Sequence, residues 1–338
     1  MINLRNDYCY IAHPKVLENM QKSASDINVG YGLDKHSVRA KELIRKELGT
    51  RENDIHFLVG GTITNKVFIS HVLKPYEAVI SCDTGHINVH ETGAITNKIL
   101  TVPNVNGKIT AQGIKEVLSQ HTDEHMVKPK MVYISNSTEY GSIYTLKELQ
   151  EISKVCKENN LIFFIDGARL GTALTSSYND VEMKDLPTLC DAFYIGGTKN
   201  GALLGEALVI NNLELSKDFR YSIKHYGGMY SKGFVAGIQF ETLFENNLFY
   251  EIARKENELG QYLESELKRI NIEIYMKAET NQIFILIDET KVDDIQKEIS
   301  CEVFGKVDNK AIIRFVTHYL LEKEDIDSAI SVIKSVNK

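Results

Sequence analysis

The sequence predicts an α/β fold in which a mostly parallel sheet lies between layers of helices. Short apolar runs alternate with segments of helical periodicity, which is the order expected of strand–helix–strand units. The runs are hydrophobic at nearly every position rather than at every second one, so both faces of the sheet should be covered. We expect these strands at residues 55–59, 78–82, 131–134, 161–165, 192–195 and 206–210.

The helical segments predict how the chain divides into domains. Apolar residues at helical spacing predict helices at 37–48, 62–73, 146–156, 244–270, 292–299 and 323–336. Further strands are predicted at 272–275, 282–287 and 312–316. We therefore expect an irregular N-terminal arm (1–30), a large α/β domain (31–245), a bridging helix (246–270) and a small C-terminal α+β domain (271–338).

Composition excludes several classes of protein. The chain has 338 residues, 43% hydrophobic and 25% charged, as in soluble globular proteins. A net charge of −7 leaves no broad cationic face for nucleic acid or an anionic membrane. No apolar run approaches the ~20 residues of a membrane span, and the start does not resemble a secretory signal, so we expect a cytosolic protein. Five scattered cysteines without a C-x-x-C pair predict neither a disulfide framework nor a metal site.

Ligands of open α/β sheets collect at the carboxyl ends of the strands, so the turns there are the places to search. Gly60-Gly61-Thr62 opens a helix, where free N–H groups and the helix dipole favour a phosphate. An ordinary glycine turn with a threonine cap is the alternative, favoured for this tripeptide alone. Asp166 ends an apolar run and needs a cationic partner, such as a protonated pyridine nitrogen. Its alternatives are a cap on the next turn or a pair with Arg169.

Three further residues are candidates for catalysis or binding. Lys199 follows a strand in a glycine-rich turn, where its amine can lose its proton and bond an aldehyde, although most lysines are surface charges. His86 follows another strand, and its flat imidazole can lie on an aromatic ring and move protons, or be purely structural. Arg314 interrupts an apolar run, which suggests a grip on a carboxylate, with an edge strand or an ion pair as the alternatives.

Taken in order, these segments resemble the low-specificity L-threonine aldolases, a family of the β-eliminating lyase superfamily within the group of pyridoxal 5′-phosphate (PLP) enzymes called fold type I. The resemblance runs through nearly the whole chain. It implies a large domain with a mostly parallel seven-stranded sheet between helices, and a small C-terminal α+β domain. The motifs that carry it are Leu4-Arg5-Asn6-Asp7, Tyr31-Gly32, Gly60-Gly61-Thr62-Ile63-Thr64-Asn65, residues 86–94, Asp166-Gly167-Ala168-Arg169-Leu170, Gly197-Thr198-Lys199-Asn200-Gly201 and Arg314-Phe315-Val316-Thr317-His318.

The resemblance also implies roles for these residues. Lys199 would bond the aldehyde of PLP, Asp166 would keep its pyridine nitrogen protonated, and His86 would stack on the ring. Arg169 and Arg314 would hold the substrate carboxylate, with Asn6 beside them and Arg169 also near the cofactor. The residues expected to surround the cofactor, its phosphate included, are Gly60, Gly61, Thr62 and Thr198.

Three positions depart from the pattern of many relatives. Asn6 stands where they have serine, and Glu139 where they have a histidine that is a proposed partner of the substrate hydroxyl. The catalytic base is therefore open among His86, Glu139 and a bound water. Tyr230 replaces an arginine, and Lys232 of a neighbouring subunit is the expected substitute for its charge on the phosphate.

The implied activity is PLP-dependent aldol cleavage of L-threonine, L-allo-threonine or a related β-hydroxy-α-amino acid to glycine and an aldehyde. A PLP-dependent β-eliminating lyase or an aminotransferase is the alternative, because all of them anchor the cofactor in the same way. A non-catalytic PLP-binding module is a third. The resemblance also implies a homo-oligomer, a dimer or a homotetramer built as a dimer of dimers, with active sites shared between subunits.

Overall fold

A computed structural model of the protein describes residues 1–50 and 52–337. The strands are β1 (Ile2–Asn3), β2 (Asp54–Leu58), β3 (Glu77–Cys82), β4 (Ile99–Val102), β5 (Lys128–Ser135), β6 (Ile162–Asp166), β7 (Ala192–Gly196), β8 (Glu206–Ile210), β9 (Glu273–Met276), β10 (Gln282–Asp288), β11 (Ile299–Ser300), β12 (Glu302–Val307) and β13 (Lys310–Val316). The helices are α1 (Pro14–Lys22), α2 (Lys35–Leu48), α3 (Gly61–Val72), α4 (His86–Val89), α5 (Ala111–Ser119), α6 (Leu146–Glu158), α7 (Leu170–Thr175), α8 (Leu186–Leu189), α9 (Phe219–His225), α10 (Phe234–Glu245), α11 (Leu248–Arg269), α12 (Val292–Glu298) and α13 (Lys323–Val336).

Seven strands form the central sheet in the order β2-β8-β7-β6-β5-β3-β4. All of its pairs are parallel except those of β8, which runs antiparallel to β2 and β7. The predicted α/β class with a mostly parallel sheet is therefore confirmed. The sequence analysis missed β4, an edge strand in which exposed Thr101 interrupts the apolar run.

Successive residues of each strand face two different cores, which explains the nearly continuous apolar runs. Phe163 and Ile165 of β6 point to the core that lies under α2, α6 and α10. Phe164 between them points to the opposite core, which lies under α3 and α9. Each fully buried aromatic or aliphatic side chain of this kind contributes about 1.5–3 kcal/mol of transfer free energy.

The small antiparallel sheet has the order β12-β13-β10-β9 and packs on α11, α12 and α13. Arg314 lies in β13, inside this sheet, so its interpretation as an edge residue was wrong. Residues 2–3 form β1, which pairs in parallel with β11. The start of the chain therefore packs against the C-terminal part of the molecule.

Two local predictions were wrong. The arm contains the helix α1, which begins at Pro14 and is capped by the His13 side chain. It was missed because Val16 is its one fully buried residue, so no apolar stripe reveals it. The helix predicted at 244–270 corresponds to α11 but begins later, at Leu248, because a turn at Asn247, where φ is +58°, separates α11 from the end of α10. Asparagine tolerates this left-handed conformation better than most residues.

The predicted boundaries at residues 30, 245 and 270 stay predictions, although α11 packs against both α7 and α13 as a bridging helix should. None of the helices in the described part of the chain is both long and apolar enough to cross a membrane.

Candidate active site

A cavity of about 350 Å³ opens at the carboxyl ends of the parallel strands, where α/β folds bind ligands. We call it the site cavity. It brings together most of the residues predicted from the sequence. Those that line it are Gly60, Gly61, Thr62, His86, Glu139, Asp166, Arg169, Thr198 and Lys199.

Lys199 lies in the turn that follows β7. Its side chain makes neither a hydrogen bond nor an ion pair with any described residue, and its amine is 5.8 Å from the centre of the Tyr8 ring. Burial lowers the pKa of this amine, and the Arg169 guanidinium lowers it further, against the opposing pull of nearby carboxylates. The neutral amine, the form that attacks an aldehyde, is therefore easier to reach than in a solvent-exposed lysine.

The turn around Lys199 requires glycines. A Cβ on Gly197 would lie 2.6 Å from the Gly205 carbonyl oxygen, and Gly201 has a φ of +86°. A side chain at either position would displace the turn from β8 or strain it. The predicted glycine-rich turn is thus a structural requirement for presenting the amine.

Asp166 ends β6 and is buried. Its Oδ1 accepts a hydrogen bond from the Ala168 N–H at 3.0 Å, and its Oδ2 accepts from Asn65 Nδ2 at 3.2 Å and from the Tyr133 hydroxyl. It therefore caps the following turn, one of the alternatives considered, but it does not pair with Arg169. Lacking an ion pair among the described residues, the carboxylate can still receive a cation from within the site cavity.

His86 is held from two sides. Its backbone N–H donates to Glu139 Oε1 at 2.9 Å, and its ring Nδ1 lies 2.8 Å from Glu91 Oε1. The same Glu91 oxygen accepts from Asn65 Nδ2 at 2.8 Å, so hydrogen bonds connect His86 to Asp166 through Glu91 and Asn65. Burial lowers the pKa of His86, but the bond to Glu91 and the Asp166 charge outweigh it, so the pKa is raised.

Glu139 lies beside His86, is half-buried and lines the site cavity. Its Oε1 accepts from the Ser135 hydroxyl at 2.7 Å and from the His86 N–H, while its Oε2 makes no hydrogen bond to a described residue. Burial raises the pKa of this carboxyl, and the charge of Asp166 adds to the effect. Glu139 is thus a more basic carboxylate than usual, with one oxygen free toward the cavity.

Gly60, Gly61 and Thr62, which we call the phosphate cup, form the start of α3. No side chain caps this helix, and a Cβ on Gly60 would meet nothing within 4 Å. The Thr62 side chain does not serve as the N-cap, so the alternative of an ordinary threonine-capped turn does not describe the helix start. Its free N–H groups are suited to an anion.

The two candidate arginines have partners within the chain. Arg169 donates to buried Asp7 from Nε at 2.6 Å and from Nη2 at 3.0 Å, which leaves Nη1 for the cavity. Arg314 does not line the site cavity. It pairs with Glu302, as the ion-pair alternative predicted, while its Nε is buried without a partner. Burial lowers the pKa of Arg314, and Arg169 lowers it further, so the two guanidinium groups are close enough to interact.

Besides Arg314, two other predicted residues lie outside the site cavity. Asn6 accepts a hydrogen bond from the Tyr8 N–H at 3.2 Å, and Lys232 is exposed on the surface. Conversely, several buried or half-buried polar residues around the site had no role predicted from the sequence. They are Asn65, Glu91, Tyr133, Ser135 and Glu206. Glu206 had one detectable sign, a carboxylate at the start of an apolar run.

Comparison with known proteins decides the family. The model of the β-eliminating lyase family matches residues 4–290. The chain belongs to this family. A low-specificity L-threonine aldolase from Pseudomonas sp. (strain NCIMB 10558) is 31% identical over 291 residues, 84% of each chain, and one from Pseudomonas aeruginosa is 28% identical over 276 residues, 79% of this chain and 78% of that one.

A solved structure of Leishmania major threonine aldolase matches this lyase over 100% of both chains, with 38% identity and a TM-score of 0.98. The predicted family, the predicted architecture and the predicted class of lyase are thereby confirmed.

Proposed function

We propose that this lyase binds PLP on Lys199 and cleaves the Cα–Cβ bond of L-threonine or L-allo-threonine, releasing glycine and acetaldehyde. One observation carries the proposal: the unpartnered amine of Lys199, the buried carboxylate of Asp166 and the uncapped start of α3 line one cavity. They match the aldehyde, the ring nitrogen and the phosphate of PLP. The relatives named as threonine aldolases support the substrate.

The residues present fit this cofactor. Asn65 Oδ1 and Ser137 Oγ are buried without a partner, and Ser137 lines the cavity, so polar groups are available for a polar ligand. The volume of about 350 Å³ lies in the range of small-molecule sites. When bound, PLP supplies a protonated aromatic ring that accepts the electrons of the breaking Cα–Cβ bond.

The chain's own residues hold and orient the reactants. Asp166, which accepts hydrogen bonds from Tyr133 and Asn65, is the residue that would hold the protonated ring nitrogen of the cofactor. The hydrogen bond to Glu91 fixes the orientation of the His86 imidazole, which would lie against one face of the cofactor ring. Nη1 of Arg169 is the cationic group available for the substrate carboxylate, and the positive charge of Arg314 is close enough to act on the same group.

Glu139 is our choice among the candidate bases. Its Oε1 is held by two donors and its Oε2 is free, so it can accept the proton of the substrate's β-hydroxyl without moving. His86 is less suited, because Glu91 already engages its Nδ1 and stacking occupies its face. Loss of the hydroxyl proton lets the aldehyde leave, and the raised pKa of Glu139 helps it to keep that proton.

The test is an assay of purified, PLP-loaded protein with L-threonine, L-allo-threonine and L-serine. We expect glycine and acetaldehyde from the two threonine isomers. A Lys199→Ala variant should remain folded but lose the visible absorbance of covalently held PLP, whereas Lys115→Ala, a change of an exposed lysine on α5, should behave as the wild type. Release of α-keto acid and ammonia without glycine would refute aldol cleavage and indicate β-elimination. Unchanged absorbance in the Lys199 variant would refute its assignment.

We further propose that the active protein is a homo-oligomer with shared sites. The end of the arm and the residues just after it expose large apolar side chains, with relative exposures of 101% for Ile27, 63% for Val29 and 59% for Leu33. The Tyr31 N–H donates to the Ser231 carbonyl, so Lys232 lies on the same surface and is available to a neighbour's phosphate cup. Light scattering should give a dimer or tetramer, and a monomer at assay concentration would contradict this.

We also propose a cytosolic location. All five cysteines are free, which suits a reducing compartment. Fractionation of the source cells should recover the protein with cytosolic markers, and recovery in a membrane or secreted fraction would oppose it.

A further inference from the structure

Glu206 is a buried carboxyl at the site cavity that the proposed mechanism does not use. It is the first residue of β8 and pairs with Gly196 of β7 and Leu58 of β2. Because β8 is the antiparallel strand, it begins at the edge where β2 and β7 end. Glu206 therefore lies beside the phosphate cup, which follows directly after β2, and lines the same cavity.

The contacts of Glu206 leave part of its carboxyl open. Its Oε2 accepts a hydrogen bond from the Gly197 N–H at 2.9 Å, and the Thr198 hydroxyl lies within hydrogen-bonding reach of the carboxyl; both groups belong to the turn that carries Lys199. It forms no ion pair with a lysine or arginine of the described chain, although Glu206 is only 4% exposed. Charged or titratable groups that face it from other elements are Lys199, Asp166 of β6 and Tyr194 of β7.

The cations of the cavity are otherwise engaged. Of the described lysine and arginine residues, Arg169 and Lys199 line it. Arg169 is paired with Asp7, and Lys199 is the proposed attachment point. The phosphate cup thus has free N–H groups but no free cation among the described residues that line the cavity, and an ionised carboxylate next to it would repel a phosphate.

We propose that Glu206 is a phosphate-binding residue that acts as a neutral carboxylic acid. One oxygen accepts from the Gly197 N–H, and the other carries a proton that it donates to a phosphate oxygen. This arrangement replaces a repulsive contact by a hydrogen bond to a charged group, which is stronger than one between neutral groups. The inference rests on the proposed binding of PLP.

The electrostatic surroundings of Glu206 support this role. Burial raises the pKa of Glu206 to about 8, although the Gly197 N–H, Thr198 and Lys199 lower it in part and Asp166 raises it further. The acid is therefore neutral below about pH 8, and an adjacent phosphate favours the neutral form still more. As pH rises through this range, the proton donor is lost.

The test compares PLP with pyridoxal, which lacks the phosphate, in binding to the apo-protein. The ratio of their dissociation constants isolates the phosphate's contribution, because attachment to Lys199 is common to both. In the wild type the advantage of PLP should fall by about tenfold per pH unit above pH 8, the slope for one coupled proton. In Glu206→Gln, whose amide donates at any pH, the advantage should persist and this decline should vanish.

Glu139→Gln is the matched control, because it removes another carboxyl that lines the same cavity and should keep the decline. Calorimetry of the wild type in two buffers of different ionisation enthalpy gives a second measurement that needs no variant. Near pH 8.5, binding of PLP should take up more protons than binding of pyridoxal.

Three results would overturn the inference while leaving PLP binding intact: an unchanged decline in Glu206→Gln, a stronger advantage of PLP in that variant at neutral pH, or equal proton uptake for the two ligands. Failure of the wild type to bind either ligand would instead refute the proposed function and this inference with it.

Discussion

Glu139 is the residue on which the choice of base can be tested. Glu139→Gln keeps the shape and the contacts to Ser135 and His86 but cannot accept a proton. We expect kcat to fall by about 10²–10⁴-fold, the usual contribution of a general base, with the visible spectrum of bound PLP retained.

The pH profile provides the sharper measurement for Glu139. A base works when deprotonated, so kcat/KM of the wild type should rise with pH through the raised pKa of this carboxyl and then level. The Gln variant should lack this rise, and Glu139→His should restore part of the rate. A Gln variant with wild-type kcat would exclude Glu139 as the base and favour His86 or water.

Residues next to strand ends could be predicted from the sequence, whereas their partners could not. Asp166 and Lys199 follow apolar runs, and this local rule places both in the site cavity. Glu91 and Asn65 connect His86 to Asp166 through hydrogen bonds. Asn65 is 26 residues away from Glu91 in the sequence and 101 residues away from Asp166. A local sequence pattern cannot predict contacts between residues so far apart in the sequence.

Among the elements, the turn after β6 depends most on a missing side chain. A Cβ on Gly167 would lie 1.9 Å from the Tyr194 carbonyl oxygen of β7. Gly167→Ala must therefore push the turn, with Asp166 and Arg169, away from β7. We expect a loss of at least about 3 kcal/mol in the free energy of unfolding, at the upper end for overpacking.

Denaturant unfolding checks the Gly167 prediction. Gly60→Ala is its control, because a Cβ there meets nothing within 4 Å, and it should unfold close to the wild type. Equal stability of Gly167→Ala and the wild type would show that the turn can adapt.

The strands were predicted better than the helices. Apolar runs covered on two faces are unmistakable, and of the seven strands in the central sheet only β4 was missed. The helix break at Asn247 escaped prediction because α10 is apolar almost all round and joins α11 without a proline or glycine. A single asparagine in the left-handed conformation does not change the hydrophobic periodicity of the sequence, so the break is not visible there.

In the whole molecule, Asp7 joins three regions. It comes from the arm, accepts both hydrogen bonds of Arg169 after β6, and accepts a third from Asn281 Nδ2 at 3.1 Å, just before β10. Asp7→Asn would leave the buried guanidinium of Arg169 without its counter-charge. We expect a loss of about 3–5 kcal/mol in the free energy of unfolding.

The Asp7 prediction also has a pH sign. Burial raises the pKa of Asp7, but Arg169 and Lys199 outweigh this and lower it below the unfolded value of about 4. Its stabilising effect is therefore complete above about pH 4 and is lost as pH falls through the folded pKa. The gap between wild type and variant in urea unfolding should shrink in acid. Asp308→Asn, in an exposed turn with φ of +51°, should change little, and a pH-independent gap would contradict the ion-pair origin.

The pairing of β1 with β11 has a consequence for biosynthesis. Leu4 donates its N–H to the Ser300 carbonyl and accepts from the Val316 N–H, so the first residues find their neighbours almost at the end of translation. The central sheet, with Lys199 after β7, can fold before the C-terminal part of the chain has been synthesised. The late strands β11 and β13 hold the segment that carries Asp7, so its ion pair with Arg169 forms only after they have emerged.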